Sequence, residues 1–387
     1  MGTDTNQNKN TLGRIWLVFI GRFPGEQAHS LFVAKSVEAL NALGYENIIL
    51  APDRERSSTP PKEYFQLDFE PRVEYIKTID FAAFKVLRVP MYYVGNVLFV
   101  LGVKKFLKQN FKNGDVVYTN DIYGLPFVRT YPTCYELHDF PERYFFFHRL
   151  FYTFVKKILV TNTWKEKELH KHFPKTASKT FIELNAVDLK KFEITETRQE
   201  LRESLGLKSD AKIALYTGHL YGWKGAETLA KAAALLPEVS FYFLGGKPTD
   251  VQSFKEKYRS HQNIHVMGHQ PHAQIPQWQK AADVLVIPNT GKEKISQYYT
   301  SPMKLFEYMA SRVPIIASDL PSIREIADDT MVYFAKPDNP ASFAEKISLA
   351  LNSDANNQKT ELAYRAVSNH TWVARADRIA HQLKKIT

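Results

Sequence analysis

The sequence predicts two doubly wound α/β domains. Three observations carry that reading. Residues 15–51 run apolar strand, glycine turn, helix, strand. The same rhythm restarts at residue 212. The length, 387 residues, exceeds what one hydrophobic core comfortably serves.

The first element is the apolar run 15–20, closed by Gly21-Arg22-Phe23-Pro24-Gly25. A helix is expected over 28–43 and a strand over 47–51, which together make a βαβ unit with parallel strands. Short apolar runs then predict strands at 73–76, 115–118, 133–136, 157–161 and 180–183. After the restart, strands are expected at 212–217, 239–244, 264–267, 284–287, 313–317 and 331–334. The charged stretch 185–207 reads as a hinge. Domains are therefore expected at 1–190 and 191–370, with a helix in 371–387 packing back on the first. Ligands of such sheets bind beyond the carboxyl ends of the strands, here in a cleft between the domains. Residues 1–13 read as a loose polar tail.

Composition narrows the function. The single cysteine, Cys134, excludes an intramolecular disulfide framework and Cys-type zinc sites; it sits in an apolar run and reads as a packing residue. With no disulfides and no signal peptide, a cytoplasmic location is expected, with peripheral contact at the inner face of a membrane left open. Net charge is +10, and seven of the ten excess charges lie in residues 1–191. Such an excess suits an anionic membrane, an acidic substrate or nucleic acid, although no nucleic-acid motif is present and none is expected as a partner. Two aromatic-basic stretches, 89–108 and 140–157, read either as core helices with snorkelling ends or as membrane-interface helices. The second includes Arg143.

Two segments carry candidate chemistry. The first, 216–236, is a strand end, Gly218, then Lys224-Gly225 before a helix. A lysine and helix amides beside a glycine loop suit a diphosphate; the other reading is a tight turn with a solvated lysine. The second, 300–325, reads helix, strand, helix start. Ser301 is expected as N-cap and Pro302 at the first helical position. The free amides of 301–304 would face a phosphate, and Glu307 one turn on would reach sugar hydroxyls. Lys304 reads either as a phosphate contact or as an i,i+3 partner of Glu307.

In this order the pieces resemble glycosyltransferase family 4, retaining sugar transferases of the GT-B fold. Gly218-His219-Leu220-Tyr221-Gly222-Trp223-Lys224-Gly225 is similar to the family's Gly-Arg-Leu-x3-Lys-Gly. Phe243-Leu244-Gly245-Gly246, Val266-Met267-Gly268-His269, Glu136-Leu137-His138-Asp139 and Asn185-Ala186-Val187-Asp188 follow family style. The resemblance spans about residues 14–372. It implies that Lys224 binds the donor diphosphate, with Gly218, His219, Gly245 and residues Ser301, Pro302, Met303 and Lys304 around it. It implies that Glu307 contacts the ribose, that His138 lies near the donor sugar, and that Gly21 lies near acceptor and diphosphate. His219 replaces the family arginine, and Tyr299 stands where the partner glutamate of Glu307 would be.

The function so implied is retaining transfer of a sugar from a UDP- or GDP-sugar to a glycan or lipid-linked acceptor, in cell-envelope or exopolysaccharide synthesis. The chain has no Asp-x-Asp pair, so a metal-dependent GT-A mechanism is not expected; no metal site and no cofactor beyond the donor are expected. A nucleotide-sugar epimerase and a non-catalytic GT-B partner subunit are the alternatives.

Overall fold

The computed structural model describes residues 12–26, 28–54, 56–80, 88–141 and 145–387. Residues 1–11 of the expected tail and Arg143 lie outside them. The chain forms two compact units. One holds the described residues up to Glu183 together with Trp372–Thr387, and the other is Leu184–Thr371.

The first unit is a seven-stranded sheet, β1 (Ile15–Val18), β2 (Asn47–Asp53), β3 (Val73–Lys77), β4 (Val116–Thr119), β5 (Thr133–Leu137), β6 (Lys157–Val160) and β7 (Thr180–Ile182). Every pairing is parallel and the order is β3-β2-β1-β4-β5-β6-β7. The central strands β1 and β4 are short, largely apolar runs buried along their length, because both sheet faces are covered by helices. Ile15 pairs with Asn47 on one side and Val116 on the other. The order reverses between β1 and β4, the switch point at which open α/β sheets leave a crevice. The Trp372–Leu383 helix belongs to this unit and packs on the Ala28–Ala42 helix. Cys134 is fully buried in β5, and burial pushes its thiol pKa up, which fits packing and not nucleophilic use.

The second unit is a six-stranded parallel sheet: β8 (Lys212–Thr217), β9 (Val239–Leu244), β10 (Ile264–Gly268), β11 (Val284–Ile287), β12 (Ile315–Ser318) and β13 (Tyr333–Ala335). The order is β10-β9-β8-β11-β12-β13, with its switch point between β8 and β11. Strand β12 begins at Ile315, two residues later than the apolar run 313–317, since Pro314 has no N–H for a ladder. The charged stretch 185–207 is folded into this unit. Val187, Leu201 and Leu207 join its core, and a reciprocal Thr197–Glu200 capping box starts the Arg198–Ser204 helix.

Candidate functional site

Three strand ends meet at the switch point of the second unit. Gly218 follows β8 with φ +137° and donates its N–H to Leu244 O at 2.7 Å. Gly245 follows β9 with φ +103°, and a Cβ there would lie 2.6 Å from the Gly218 carbonyl oxygen. Gly225, with φ +72°, caps the Ala226–Ala233 helix, and a Cβ there would lie 1.7 Å from Pro288 O just past β11. Left-handed backbone and missing Cβ space are both required at these positions, so glycine is dictated.

Cations gather around this turn. Lys224 ends the short Gly222–Lys224 turn, its ammonium 3.9 Å from the centre of the Trp223 ring, and burial lowers its pKa to about 8. Lys304 comes from the first turn of the Met303–Ala310 helix. Its Nζ is shielded from solvent, donates to no partner among the described residues, and lies 4.2 Å from the Tyr216 ring centre. A Cβ on Gly218 would touch that Nζ at 2.6 Å. Burial, and then Lys224, hold the Lys304 pKa well below its ordinary value, with Glu307 partly opposing. His219 stacks on Tyr221 at 4.7 Å, and Lys247 lies 5.7 Å from the same ring. Burial lowers the His219 pKa first, followed by Lys224, Lys247 and Lys304. Among the described residues, none of these three lysines has a carboxylate partner. Cations without counter-charge, with Lys224 and Lys304 partly desolvated and Lys247 exposed beside them, favour an anion.

The start of the Met303–Ala310 helix corrects the sequence reading. Pro302 occupies the N-cap with ψ 102°, so the helix begins one residue later than expected, and no side chain caps this end. Ser301 precedes a proline, which drives it from helical backbone, and its buried hydroxyl makes no hydrogen bond. Pro302 has no amide hydrogen, so only Ser301, Met303 and Lys304 of this stretch carry one. Lys304 does not ion-pair with Glu307 either, which removes the i,i+3 alternative. Burial raises the Glu307 pKa to about 7, with Lys304 and Lys191 opposing. Ahead of the helix, Tyr299 ends a π-helical turn, Ile295–Tyr299. That loop is pinned from several sides. Asn185 Nδ2 donates to Ser301 O at 2.5 Å, Ser322 Oγ to Ser296 O at 2.7 Å, and Gly291 N to Asp338 Oδ2 at 2.8 Å.

In the first unit His138 follows β5. Burial lowers its pKa to about 4, partly offset by Glu136, whose Oε1 lies 3.4 Å from His138 Nε2. The ring is wedged edge-on against Phe32 at 4.9 Å and His29 at 4.8 Å. Glu136 accepts from Arg375 Nη2 at 2.6 Å and from the Tyr118 hydroxyl, all buried. Burial alone would raise the Glu136 pKa, but Arg375, His138 and Tyr118 hold it below its ordinary value. Lys165 donates to the His138 carbonyl and to Thr161 Oγ1. Asp139, the other acidic neighbour, is exposed. Gly21 lies after β1, where a Cβ would meet the Phe19 ring at 2.4 Å.

The structure thus gathers Gly218, His219, Lys224, Gly245 and Lys304 in one place, with Glu307 a turn along the helix from Lys304. His138 and Gly21 are features of the other unit. Sequence reasoning missed Lys247, although it follows Gly245-Gly246 directly. It also missed Arg375, and Asp121, a buried carboxyl after β4 whose pKa burial raises to about 6. Among the described residues no cluster of His, Cys, Asp and Glu is placed to hold a metal ion.

Comparison with known proteins bears on both fold and chemistry. Residues 197–367 match the family model described as "Glycosyl transferases group 1". TuaC of Bacillus subtilis, named for teichuronic acid biosynthesis, is 28% identical over 155 residues, 40% of this chain and 36% of TuaC. D-inositol 3-phosphate glycosyltransferase of Xylanimonas cellulosilytica is 27% identical over 181 residues, 44% of this chain and 41% of that protein. The matches thus span about two fifths of these curated relatives. Among solved structures, Anabaena Alr3699/HepE in complex with UDP has TM-score 0.73 at 17% identity, covering 97% of this chain and 100% of that one. Sucrose-phosphate synthase from Thermosynechococcus elongatus has TM-score 0.74 at 18% identity, covering 96% and 98%. The fold is GT-B: two Rossmann-like units of parallel α/β topology.

Proposed function

We propose that the protein is a retaining glycosyltransferase that moves a sugar from a UDP- or GDP-sugar to a glycan or lipid-linked acceptor of the cell envelope. The observation that carries the reading is the unpaired lysine cluster around Gly218 and Gly245. Lys224 and Lys304, with Lys247 beside them, take the diphosphate, and the Met303 and Lys304 amides add hydrogen bonds. As the donor's sugar–phosphate bond breaks, negative charge grows on the leaving diphosphate, and fixed cations there stabilise the transition state. His219 is neutral near pH 7 with its lowered pKa, so it donates one hydrogen bond and the lysines carry the charge. Glu307 accepts from ribose hydroxyls. In the first unit, His138 serves the donor sugar side as a neutral imidazole, Gly21 the acceptor side.

The match of residues 197–367 to the glycosyl transferase model, the UDP bound by a structural neighbour and the name of TuaC support this reading. A donor panel with product analysis tests it. Sugar transfer with retained anomeric configuration, followed by NMR, is expected. A changed sugar still on its nucleotide, formed without acceptor, would instead make the protein an epimerase. Donor binding with turnover only after a second protein is added would make it a partner subunit.

A further inference from the structure

The Arg88–Asn110 helix, between β3 and β4, has two distinct faces. Phe99, Val100, Val103 and Leu107 are buried in the core of the first unit. At 3.6 residues per turn, Tyr93, Val97, Leu101, Lys104 and Lys108 share a neighbouring arc, and Val94, Leu98 and Lys105 carry it round to the side opposite the buried residues. Tyr93 is 64% exposed, Val97 49% and Leu101 46%. The exposed arc is therefore apolar over its first turns and continues as lysines, including Lys105. No Asp or Glu occurs anywhere in the helix. Lys104, Lys105 and Lys108 are exposed and have no carboxylate partner among the described residues.

A second helix extends this face. The connections β3 to β4 and β5 to β6 cross the sheet in the same direction, so right-handed crossovers put their helices on one side. The Leu125–Val128 helix packs against both the Arg88–Asn110 helix and the Tyr152–Phe154 turn that continues the Phe145–Phe151 helix. That last helix exposes Phe146 at 76%, Phe147 at 52%, and Leu150 and Arg149.

We propose that this face of the first unit docks on the interfacial layer of an anionic lipid bilayer. Single exposed apolar residues are ordinary, but a contiguous aromatic and aliphatic strip beside a lysine row is not. Aromatic side chains suit the headgroup level, and lysines near the surface are drawn to anionic lipid. Among the described residues no helix is long and apolar enough to cross a membrane, so the helix lies on the surface. A second copy is the poorer occupant, because the helix offers no carboxylate to receive the partner's lysines.

The test is flotation of the full chain with phosphatidylcholine vesicles, with and without phosphatidylglycerol, at low and raised salt. The protein is expected to float with anionic vesicles and to be released by salt. Replacing Lys104, Lys105 and Lys108 together by Gln weakens binding roughly 100-fold, at about one lysine's surface attraction each. Val97→Ser with Leu101→Ser also weakens it, while the thermal midpoint stays that of wild type. Three results overturn the proposal: no binding of folded wild type to anionic vesicles at low salt, binding that neither variant alters, or a dimer that Val97→Ser with Leu101→Ser dissolves without any vesicle binding. This stands apart from the donor reading, and no sugar enters the assay, so either can fail alone.

Discussion

Replacing Lys224 by Met should make the ligand-free protein more stable while removing its affinity for a nucleotide diphosphate. The side chain is half-buried without a counter-ion, and desolvation moves its pKa from 10.5 to about 8. That displacement corresponds to roughly 3 kcal/mol of penalty on the charged form at neutral pH. The Trp223 ring at 3.9 Å returns about 0.5–2 kcal/mol of cation–π attraction. The net gain for Lys224→Met is therefore roughly 1–3 kcal/mol at pH 7, or about 3–8 °C in thermal midpoint for a unit of this size. The sign with pH follows from linkage. The unfolded chain holds the proton up to 10.5 and the folded chain only to about 8, so wild-type stability rises between those values. In the variant that rise disappears. Loss of one charge-assisted contact to diphosphate, about 1.5–3 kcal/mol, weakens UDP or GDP binding roughly 10- to 150-fold. Thermal denaturation at pH 7 and pH 10, with and without nucleotide, reads all three effects. A variant less stable than wild type at pH 7, or one that keeps the full nucleotide shift, refutes the reasoning.

Glu307→Gln should flatten a different pH window. The folded carboxyl has pKa about 7 against 4.5 unfolded, so its stabilising protonation is complete below 4.5 and lost as pH rises to 7. Denaturation midpoints of the variant should lack that decline, and its nucleotide affinity should fall roughly tenfold for one lost hydrogen bond to ribose. Arg375→Met leaves Glu136 as an unpaired buried charge and should cost roughly 3–5 kcal/mol; adding Glu136→Gln should recover part of it, read by urea denaturation. Gly225→Ala should be insoluble or lose at least roughly 3 kcal/mol, because its Cβ cannot share space with Pro288 O at φ +72°.

The central sheet strands were legible because they are buried on both faces and so appear as short apolar runs, and because the rhythm restarts at β8. The Gly218 turn and Lys224 were legible because glycine and lysine act there within eight residues of one another. Less could be read where the physics is non-local. Arg375 meets Glu136 across a separation of 239 residues, and no local pattern announces that pair. The packing face of the Arg88–Asn110 helix was equally hidden. Phe99, Val103 and Leu107 on one arc look no more apolar than Val97, Leu98 and Leu101 on the other, and only the sheet decides between them. At Ser301 local preference misled: a good cap residue stands before a proline that shifts the helix start past its reach.

The central claim is that the lysines around Gly218 form a diphosphate site. Calorimetric titration of the full chain with UDP and GDP at pH 7, wild type beside Lys304→Met, tests it most directly. The account predicts saturable binding of one nucleotide diphosphate by wild type and at least roughly tenfold weaker binding by the variant. Folded wild-type protein that binds neither nucleotide, or a variant that binds as tightly as wild type, would contradict it.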